Sequence, residues 1–285
     1  VNFHIFTFPH LHISKFPNSQ ILKFSNSQIP TPYLCAVKLI QLEKIKVGIV
    51  NYLNTKPLLY GIHRSAVMEQ MELVPDFPAN VARDLLAGSI DMGLVPVAII
   101  PKLKEAHIVG NYGIGADGVV ASVCLLSHVP MDEIKEVLLD YQSRTSAALV
   151  QVLLEKYWKK KVLFVDTQEE FGDRITGTTA GLVIGDRCLA LRNQMPYVYD
   201  LGEAWKNFTG LPFVFACWVS NKVLPESFVK EFDEANKAGL EQIDKVVAEV
   251  NLPEYDLHTY YTKNISYLLD ERKKQGLQLF LSYLL

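Results

Sequence analysis

The feature that most constrains the fold is a regular alternation of short apolar runs with helical patterns, which begins at residue 45. Three β-rich runs and two helical segments follow one another in the order 45–50, 55–61, 71–74, 76–88 and 91–95. Strands and helices that alternate at this spacing predict a parallel sheet formed by right-handed crossovers. The fold class predicted from this pattern is α/β.

A second unit of the same kind follows. Residues 137–140 predict a strand, residues 143–157 a helix and residues 162–165 and 180–186 two more strands. An aromatic strand, residues 213–219, comes next in the chain. Two α/β units of this size predict two lobes that face each other across a cleft.

The remaining segments set the predicted boundaries of these lobes. Residues 119–126 are nearly all apolar and predict a strand buried on both faces. Residues 226–250 predict one long helix, and a final helix is expected to hold Leu268, Leu269, Leu279 and Phe280. We therefore place lobe one at residues 45–127 plus 214–285, and lobe two at residues 128–213.

Composition limits the function. The net charge is −3 and no Lys/Arg tract occurs, which argues against a nucleic-acid partner. The four cysteines form no C-x-x-C pair and the histidines are scattered, so no metal site is predicted. Gly113-x-Gly115-x-x-Gly118 has the spacing of a dinucleotide-binding turn but precedes a strand, so no cofactor is predicted. No apolar run is long enough for a membrane helix, and we expect a cytoplasmic protein with reduced thiols.

Residues 1–44 differ from the rest of the chain. A seven-residue pattern beginning at Lys15 returns at Lys23, and no acidic residue occurs before Glu43. The segment lacks the order of features of a secretory signal. We expect a disordered leader, or a start site assigned too far upstream.

Two asparagines flank the turn after the first strand, Asn51-Tyr52-Leu53-Asn54. Ligands of open α/β sheets bind beyond the carboxyl ends of strands, where this turn lies. An asparagine side chain offers a donor and an acceptor and tolerates unusual backbone angles. Asn51, Tyr52 and Asn54 are therefore predicted to contact a ligand. The alternative is that Asn54 or Thr55 only caps the following helix.

A second polar turn, Ser143-Arg144-Thr145-Ser146, follows a predicted strand and opens a helix. The unpaired N–H groups and the dipole of a helix start favour an anion. The hydroxyls add donors, and Arg144 can pair with a carboxylate through two hydrogen bonds. All four residues are predicted to bind the ligand. The alternative is that Ser143 or Thr145 caps the helix while Arg144 is solvated.

Ser122 and Asp186 are two further candidates. Ser122 lies in the predicted strand 119–126, where a buried hydroxyl requires a hydrogen-bond partner. Asp186 stands at the end of another predicted strand. We predict that both residues face the cleft. A backbone partner for Ser122 and a helix cap by Asp186 are the alternatives.

Five segments of the chain match a known family in order. They are residues 50–58 (VNYLNTKPL), 93–96 (GLVP), 122–127 (SVCLLS), 139–146 (LDYQSRTS) and 210–218 (GLPFVFACW). Together they closely resemble the chorismate dehydratase family, which provides the first step of the futalosine route to menaquinone. The resemblance runs from about residue 45 to the C-terminus and leaves the first 44 residues outside.

The resemblance implies a two-lobed, periplasmic-binding-protein-like (type II) fold and a hydro-lyase, a carbon–oxygen lyase. Its substrate would be chorismate, which loses water to give 3-[(1-carboxyvinyl)oxy]benzoate. Asn54 looks like the family's active-site asparagine and Ser122 like its cleft serine. The turn 143–146 looks like its carboxylate-binding helix start.

Three other functions remain open at this point. A solute-binding protein would share the fold but release its ligand unchanged, and we expect it to carry an export signal, which is not visible here. The related 1,4-dihydroxy-6-naphthoate synthase shares the two-lobed design, but the five segments resemble it less. The effector domain of a transcriptional regulator would follow a helix-turn-helix, and none is recognised before residue 45. The oligomeric state is left open.

Overall fold

The alternation of strands and helices predicted from residue 45 is present. The computed structural model describes residues 43–253 and 255–285, so most of the predicted leader lies outside the described residues. In chain order the strands are β1 (Ile45–Ile49), β2 (Met71–Pro75), β3 (Met92–Pro96), β4 (His107–Ala116), β5 (Val123–Ser127), β6 (Glu136–Leu139), β7 (Leu163–Asp166), β8 (Thr179–Ile184), β9 (Tyr197–Asp200), β10 (Phe213–Ser220) and β11 (Ser266–Leu268).

The helices alternate with these strands and then dominate the C-terminal part. They are α1 (Lys56–His63), α2 (Pro78–Ala87), α3 (Arg144–Val152), α4 (Gly185–Leu191), α5 (Leu201–Thr209), α6 (Glu226–Leu240), α7 (Ile243–Val250), α8 (Leu257–Thr259) and α9 (Glu271–Ser282). A π-helical turn, Tyr260–Asn264, continues α8.

The strands form two mixed sheets, one in each lobe. The first sheet has the order β11-β4-β10-β3-β1-β2, and the second has the order β7-β6-β8-β5-β9. In the first sheet β1 is parallel to β2 and β3, while β10 returns antiparallel between β3 and β4. In the second sheet β6 is parallel to β7 and β8, while β5 is antiparallel to β8 and β9. The predicted parallel units are thus present, each completed by antiparallel strands.

The first α/β unit shows why the sequence folds this way. Every residue of β3 is buried, as expected for a strand covered on both faces. The helix α2 begins with Pro78 in its first turn and ends at Gly88, which has a φ of 74°. Val81 of α2 packs against Gly48, where an added Cβ would lie 2.5 Å from the valine. The helix can therefore lie close on the sheet.

The crossover between the lobes lies earlier than predicted. The strand β5 pairs with β8 and β9 of the second sheet, although lobe one was predicted to extend to residue 127. The predicted strand 119–126 begins only at Val123, and residues 117–122 form a connecting loop. This loop contains Ala121 with a φ of 66°, a left-handed conformation that no strand accommodates.

Two helix predictions also differ from the structure. The predicted helix 226–250 is divided into α6 and α7 at residues 241–242, where Gln242 leaves helical geometry with a ψ of 29°. The predicted final helix starts at Glu271, because residues 266–268 pair with β4 at the edge of the first sheet. Pairing with a strand some 150 residues away decides the conformation of this segment, and a local pattern does not contain that information.

Candidate active site

A cavity lies between the strand ends of the two lobes. The empty space there, including the part that is open to solvent, is about 590 Å³. Its wall is mainly apolar, and none of the described residues that line it carries a formal charge. The polar side chains in the wall are those of Tyr52, Asn54, Thr55, Ser122, Ser143 and Ser146. Residues of both predicted turns therefore meet here, together with Ser122.

The turn after β1 brings Asn54 to the cavity. Thr55 holds this turn by donating its hydroxyl to the carbonyl oxygens of Val50 (2.6 Å) and Tyr52 (2.8 Å). Thr55 stands at the N-cap position of α1, but neither its side chain nor that of Asn54 accepts a capping hydrogen bond, so side-chain capping does not explain this turn. The Asn54 Oδ1 atom is buried and has no hydrogen-bond partner among the described residues. A buried acceptor in a cavity wall requires a partner, and a bound ligand can supply it.

The other asparagine of this turn faces elsewhere. Asn51 is exposed, does not line the cavity and accepts a hydrogen bond from Lys56 Nζ at 2.7 Å. Tyr52 lines the cavity and donates its hydroxyl to Gln142 Oε1 of the second lobe. Burial raises the pKa of this phenol, against the opposing effect of Arg187. Tyr52 is therefore a neutral donor that joins the two lobes beside the cavity.

Ser122 reaches the cavity from the loop that connects the lobes. Asp200 holds this loop by accepting the N–H groups of Val120 (3.0 Å) and Ala121 (2.7 Å). Arg192 Nη1 donates to the carbonyl oxygen of Ala121 at 2.5 Å. These contacts hold Ala121 in its left-handed conformation, which is costly for a residue other than glycine. The fully buried Ser122 is thereby turned towards the cavity.

The hydroxyl of Ser122 has a side-chain partner. Its Oγ accepts a hydrogen bond of 2.8 Å from the hydroxyl of Tyr260. The backbone contacts of Ser122 are a donated bond to Val120 O (2.8 Å) and an accepted bond from Gly185 N (2.7 Å). The alternative of a backbone partner for the Ser122 hydroxyl is thus wrong.

The start of α3 provides the third group of polar atoms. Ser143 and Ser146 line the cavity, and Ser143 Oγ accepts the N–H of Ser146 at 3.1 Å. Ser143 therefore caps the helix and faces the cavity at once. Thr145 is buried, and its hydroxyl accepts the N–H of Ala98 of the first lobe at 3.2 Å. Arg144 is exposed and does not line the cavity, which agrees with its predicted solvated alternative.

Asp186 lies next to the cavity but does not line it. Its Oδ1 accepts the N–H of Leu53 at 3.1 Å, across the two lobes. Burial raises the pKa of this carboxyl, while the Leu53 N–H and Lys56 act in the opposite direction. Its neighbour Gly185 has a φ of 65° and faces the ring of Tyr52. Asp186 is not the N-cap of α4, so the alternative of a helix cap is wrong.

A set of polar residues that the sequence does not single out supports the site. Asp140 is buried and accepts two hydrogen bonds from Arg187 Nη2, at 2.9 and 2.7 Å. Burial raises the pKa of Asp140 although Arg187 opposes it. Asp140 also accepts the N–H of Gln142, the partner of Tyr52. Asp140 and Gln142 belong to the matched segment 139–146, but Arg187 lies 47 residues after Asp140, so no local pattern connects them.

The described residues show neither a metal-binding cluster nor a membrane-spanning helix. Within residues 43–253 and 255–285, no cluster of three His, Cys, Asp or Glu side chains has metal-binding geometry. In the same ranges no helix combines the length and apolar character of a membrane span. Cys124, Cys188 and Cys217 are buried free thiols, and Cys35 lies outside the described residues.

The two sheets and the cavity between them define a class, the two-lobed α/β proteins with a periplasmic-binding-protein-like fold. Protein AF1704 from Archaeoglobus fulgidus is similar, with a TM-score of 0.64 at 14% identity over 86% of this chain and 97% of that chain. The Candida albicans CA3427 gene product, described as exhibiting the generic periplasmic binding protein structural fold, is similar with a TM-score of 0.56 at 13% identity over 84% and 90% of the two chains. These likenesses confirm the fold.

Within this class the chain belongs to the menaquinone biosynthesis family, which matches residues 45–285. It is similar to the chorismate dehydratase of Thermus thermophilus, at 27% identity over 258 residues that cover 82% of this chain and 93% of the relative. It is also similar to the chorismate dehydratase of Campylobacter jejuni, at 25% identity over 237 residues that cover 79% and 86% of the two chains. The family predicted from the five sequence segments is confirmed.

Proposed function

We propose that this protein is a chorismate dehydratase, which eliminates water from chorismate to give 3-[(1-carboxyvinyl)oxy]benzoate. Membership of the menaquinone biosynthesis family and similarity to two chorismate dehydratases over most of the chain support this function. The structural observation that carries the proposal is the buried Oδ1 of Asn54, a residue that lines the cavity, because this oxygen has no partner among the described residues.

The reaction suits a cavity without a charged wall. The ring carbon of chorismate that bears the ether loses a proton, the neighbouring carbon loses its hydroxyl group, and the two leave as water. The ring becomes aromatic, which provides a large driving force. The protein mainly has to hold the substrate, exclude bulk water and orient the departing groups.

We assign roles to the cavity residues on this basis. The hydroxyls of Ser143 and Ser146 and the first-turn N–H groups of α3 bind one carboxylate, as helix starts bind anions. The N–H of Ser146 is not one of these groups, because it donates to Ser143. Asn54 and Ser122 then hydrogen-bond the enolpyruvyl side or the leaving hydroxyl. Because no acidic side chain is among the cavity-lining residues, a carboxylate of the substrate itself accepts the proton.

The proposed enzyme needs no cofactor and works in the cytoplasm. The chemistry assigned above contains no oxidation or group transfer that a cofactor would have to supply. The thiols of Cys124 and Cys188 both lie 3.6 Å from the carbonyl oxygen of Ala121, and they remain free. Neighbouring free thiols fit a reducing compartment.

Incubation of the purified protein with chorismate tests the proposal. The expected result is an aromatic product with the mass of chorismate minus water, formed in proportion to the amount of enzyme. Binding of chorismate without a product would favour a solute-binding protein. Failure to bind chorismate would leave the related 1,4-dihydroxy-6-naphthoate synthase to be tested with its own cyclic substrate.

A further inference from the structure

The C-terminal segment contacts both Asn54 and Ser122 from behind the cavity. Tyr260 donates its hydroxyl to Ser122 Oγ at 2.8 Å, and Tyr267 donates to the backbone oxygen of Asn54 at 3.0 Å. Both tyrosines are buried, and neither lines the cavity. They lie about 140 and 210 residues from their partners, so no local sequence pattern joins them.

The contact with Tyr260 fixes what the Ser122 hydroxyl can do. A serine hydroxyl has one hydrogen to donate and two lone pairs to accept with. Tyr260 occupies one lone pair, and the backbone of Ser122 is held separately by Val120 and Gly185. Ser122 Oγ accepts from behind, so its own hydrogen is free to be directed into the cavity. Burial raises the pKa of Tyr260, with the bond to Ser122 acting in the opposite direction, so the phenol remains a donor.

We propose that Tyr260 is a positioning residue, which orients the hydroxyl of Ser122 as a hydrogen-bond donor to the substrate in the cavity. Tyr260 acts entirely through Ser122, since the phenol itself does not line the cavity. The inference rests on the proposed function, because the reaction that Ser122 serves is the dehydration of chorismate. The contact between Tyr260 and Ser122 would favour catalysis through preorganisation, since a donor that is already oriented needs no rearrangement during the reaction.

Tyr260→Phe tests this inference by removing a single oxygen atom. We expect kcat for chorismate to fall about tenfold with KM little changed, which is the rate equivalent of one neutral hydrogen bond. The matched control is Tyr261→Phe, because the hydroxyl of Tyr261 is buried and has no hydrogen-bond partner among the described residues. The control should retain the wild-type kcat. Melting temperatures of both variants separate a loss of stability from a loss of positioning.

A double-mutant cycle with Ser122→Ala supplies a readout that a purely structural role would not move. If Tyr260 acts through Ser122, adding Tyr260→Phe to Ser122→Ala lowers kcat no further. An additive loss in the double variant, or a Tyr260→Phe protein as active as the wild type, would overturn the inference. Full activity of Ser122→Ala would also overturn the inference. This test can be made even if the Tyr260→Phe protein does not fold. An inactive wild-type protein would instead refute the proposed function on which the inference rests.

Discussion

Ser143 and Arg144 are adjacent in the chain but have different surroundings. The hydroxyl of Ser143 lies in the cavity wall and caps α3 by accepting the N–H of Ser146, whereas Arg144 is exposed and outside the cavity. A hydroxyl in this position stabilises the helix start and can also contact an anion bound there. The carboxylate site that we propose therefore depends on Ser143 rather than on the charge of Arg144.

Replacing Ser143 by Ala should raise the KM for chorismate by about tenfold or more, because a hydrogen bond to a charged carboxylate is worth about 1.5–3 kcal/mol. The free energy of unfolding should fall by about 1 kcal/mol as the cap of α3 is lost. Arg144→Ala is the control and should leave KM unchanged. Steady-state kinetics and urea unfolding of both variants measure these effects. A rise in KM for Arg144→Ala alone would assign the carboxylate to the arginine.

The two asparagines after β1 show how far the sequence could predict the site. Their residue type and their place after a strand predict a polar turn near a ligand, and the turn does adjoin the cavity. Which asparagine faces the cavity depends on contacts that Tyr52 makes with Gln142 and that Leu53 makes with Asp186. These partners lie 90 and 133 residues away along the chain, so a local pattern carries no information about them.

At the level of elements, the turn after β1 joins the two lobes. The hydroxyl of Tyr52 reaches Gln142 before α3, and the N–H of Leu53 reaches Asp186 at the start of α4. One short turn thus contacts residues at the starts of α3 and α4 in the second lobe and also presents Asn54 to the cavity. Its geometry, and with it the position of Asn54, depends on how the lobes meet.

The contact between the Leu53 N–H and the carboxyl of Asp186, which joins the two lobes, should make the stability of the protein sensitive to pH. Burial raises the pKa of Asp186 above its ordinary value, so the native state binds more protons than the unfolded chain between the two values. The contribution of Asp186 to the free energy of unfolding therefore falls as the pH rises from the unfolded pKa through the folded pKa. Once it is ionised, the partly desolvated carboxylate destabilises the native state.

Asp186→Asn should accordingly be more stable than the wild type at pH 7, because the amide oxygen can still accept the N–H of Leu53 without carrying a charge. This advantage should shrink as the pH falls through the raised pKa of Asp186, and it should be lost at pH values below the ordinary pKa of an aspartate. Urea unfolding at several pH values measures it, with the exposed Asp173→Asn as control. An advantage independent of pH would show that ionisation of Asp186 is not its cause.

The elements themselves could be predicted only where their pattern is local. The first α/β unit could be predicted because apolar runs, Pro78 and Gly88 mark its strands and helices directly. The loop at residues 117–122 could not be predicted, because its apolar residues have the pattern of a strand. The contacts that shape it come from Asp200 and Arg192, which lie 70 to 80 residues later in the chain. Tyr260 and Tyr267 look like ordinary core residues in sequence, and only the fold brings them to Ser122 and Asn54.

For the whole molecule, binding of a dianion has to be explained without a positive field. The net charge is −3 and the described residues that line the cavity carry no formal charge. Attraction must therefore come from oriented hydroxyls, amides and the start of α3 inside an enclosed space, where such dipoles act strongly. A site of this kind favours orientation over tight binding, which suits a reaction driven by aromatisation.

The catalytic unit should lie within residues 43–285. These residues form one compact unit, and the family match begins at residue 45. A protein lacking residues 1–42 should therefore have the same kcat, KM and melting temperature as the full chain. Kinetics and thermal unfolding of the two proteins side by side measure this. A marked loss of activity in the shorter protein would assign a role to the first 42 residues.

The central claim is that chorismate is dehydrated in the cavity to which Asn54 belongs. The most direct test is the rate of formation of 3-[(1-carboxyvinyl)oxy]benzoate by the wild type, Asn54→Ala and Asn51→Ala proteins under the same conditions. Asn51 is the matched control, since it belongs to the same turn and is exposed outside the cavity. We predict equal kcat for the wild type and Asn51→Ala, and a loss of about a hundredfold for Asn54→Ala, as for the removal of one oriented hydrogen-bonding group. Unchanged turnover by Asn54→Ala would contradict the account.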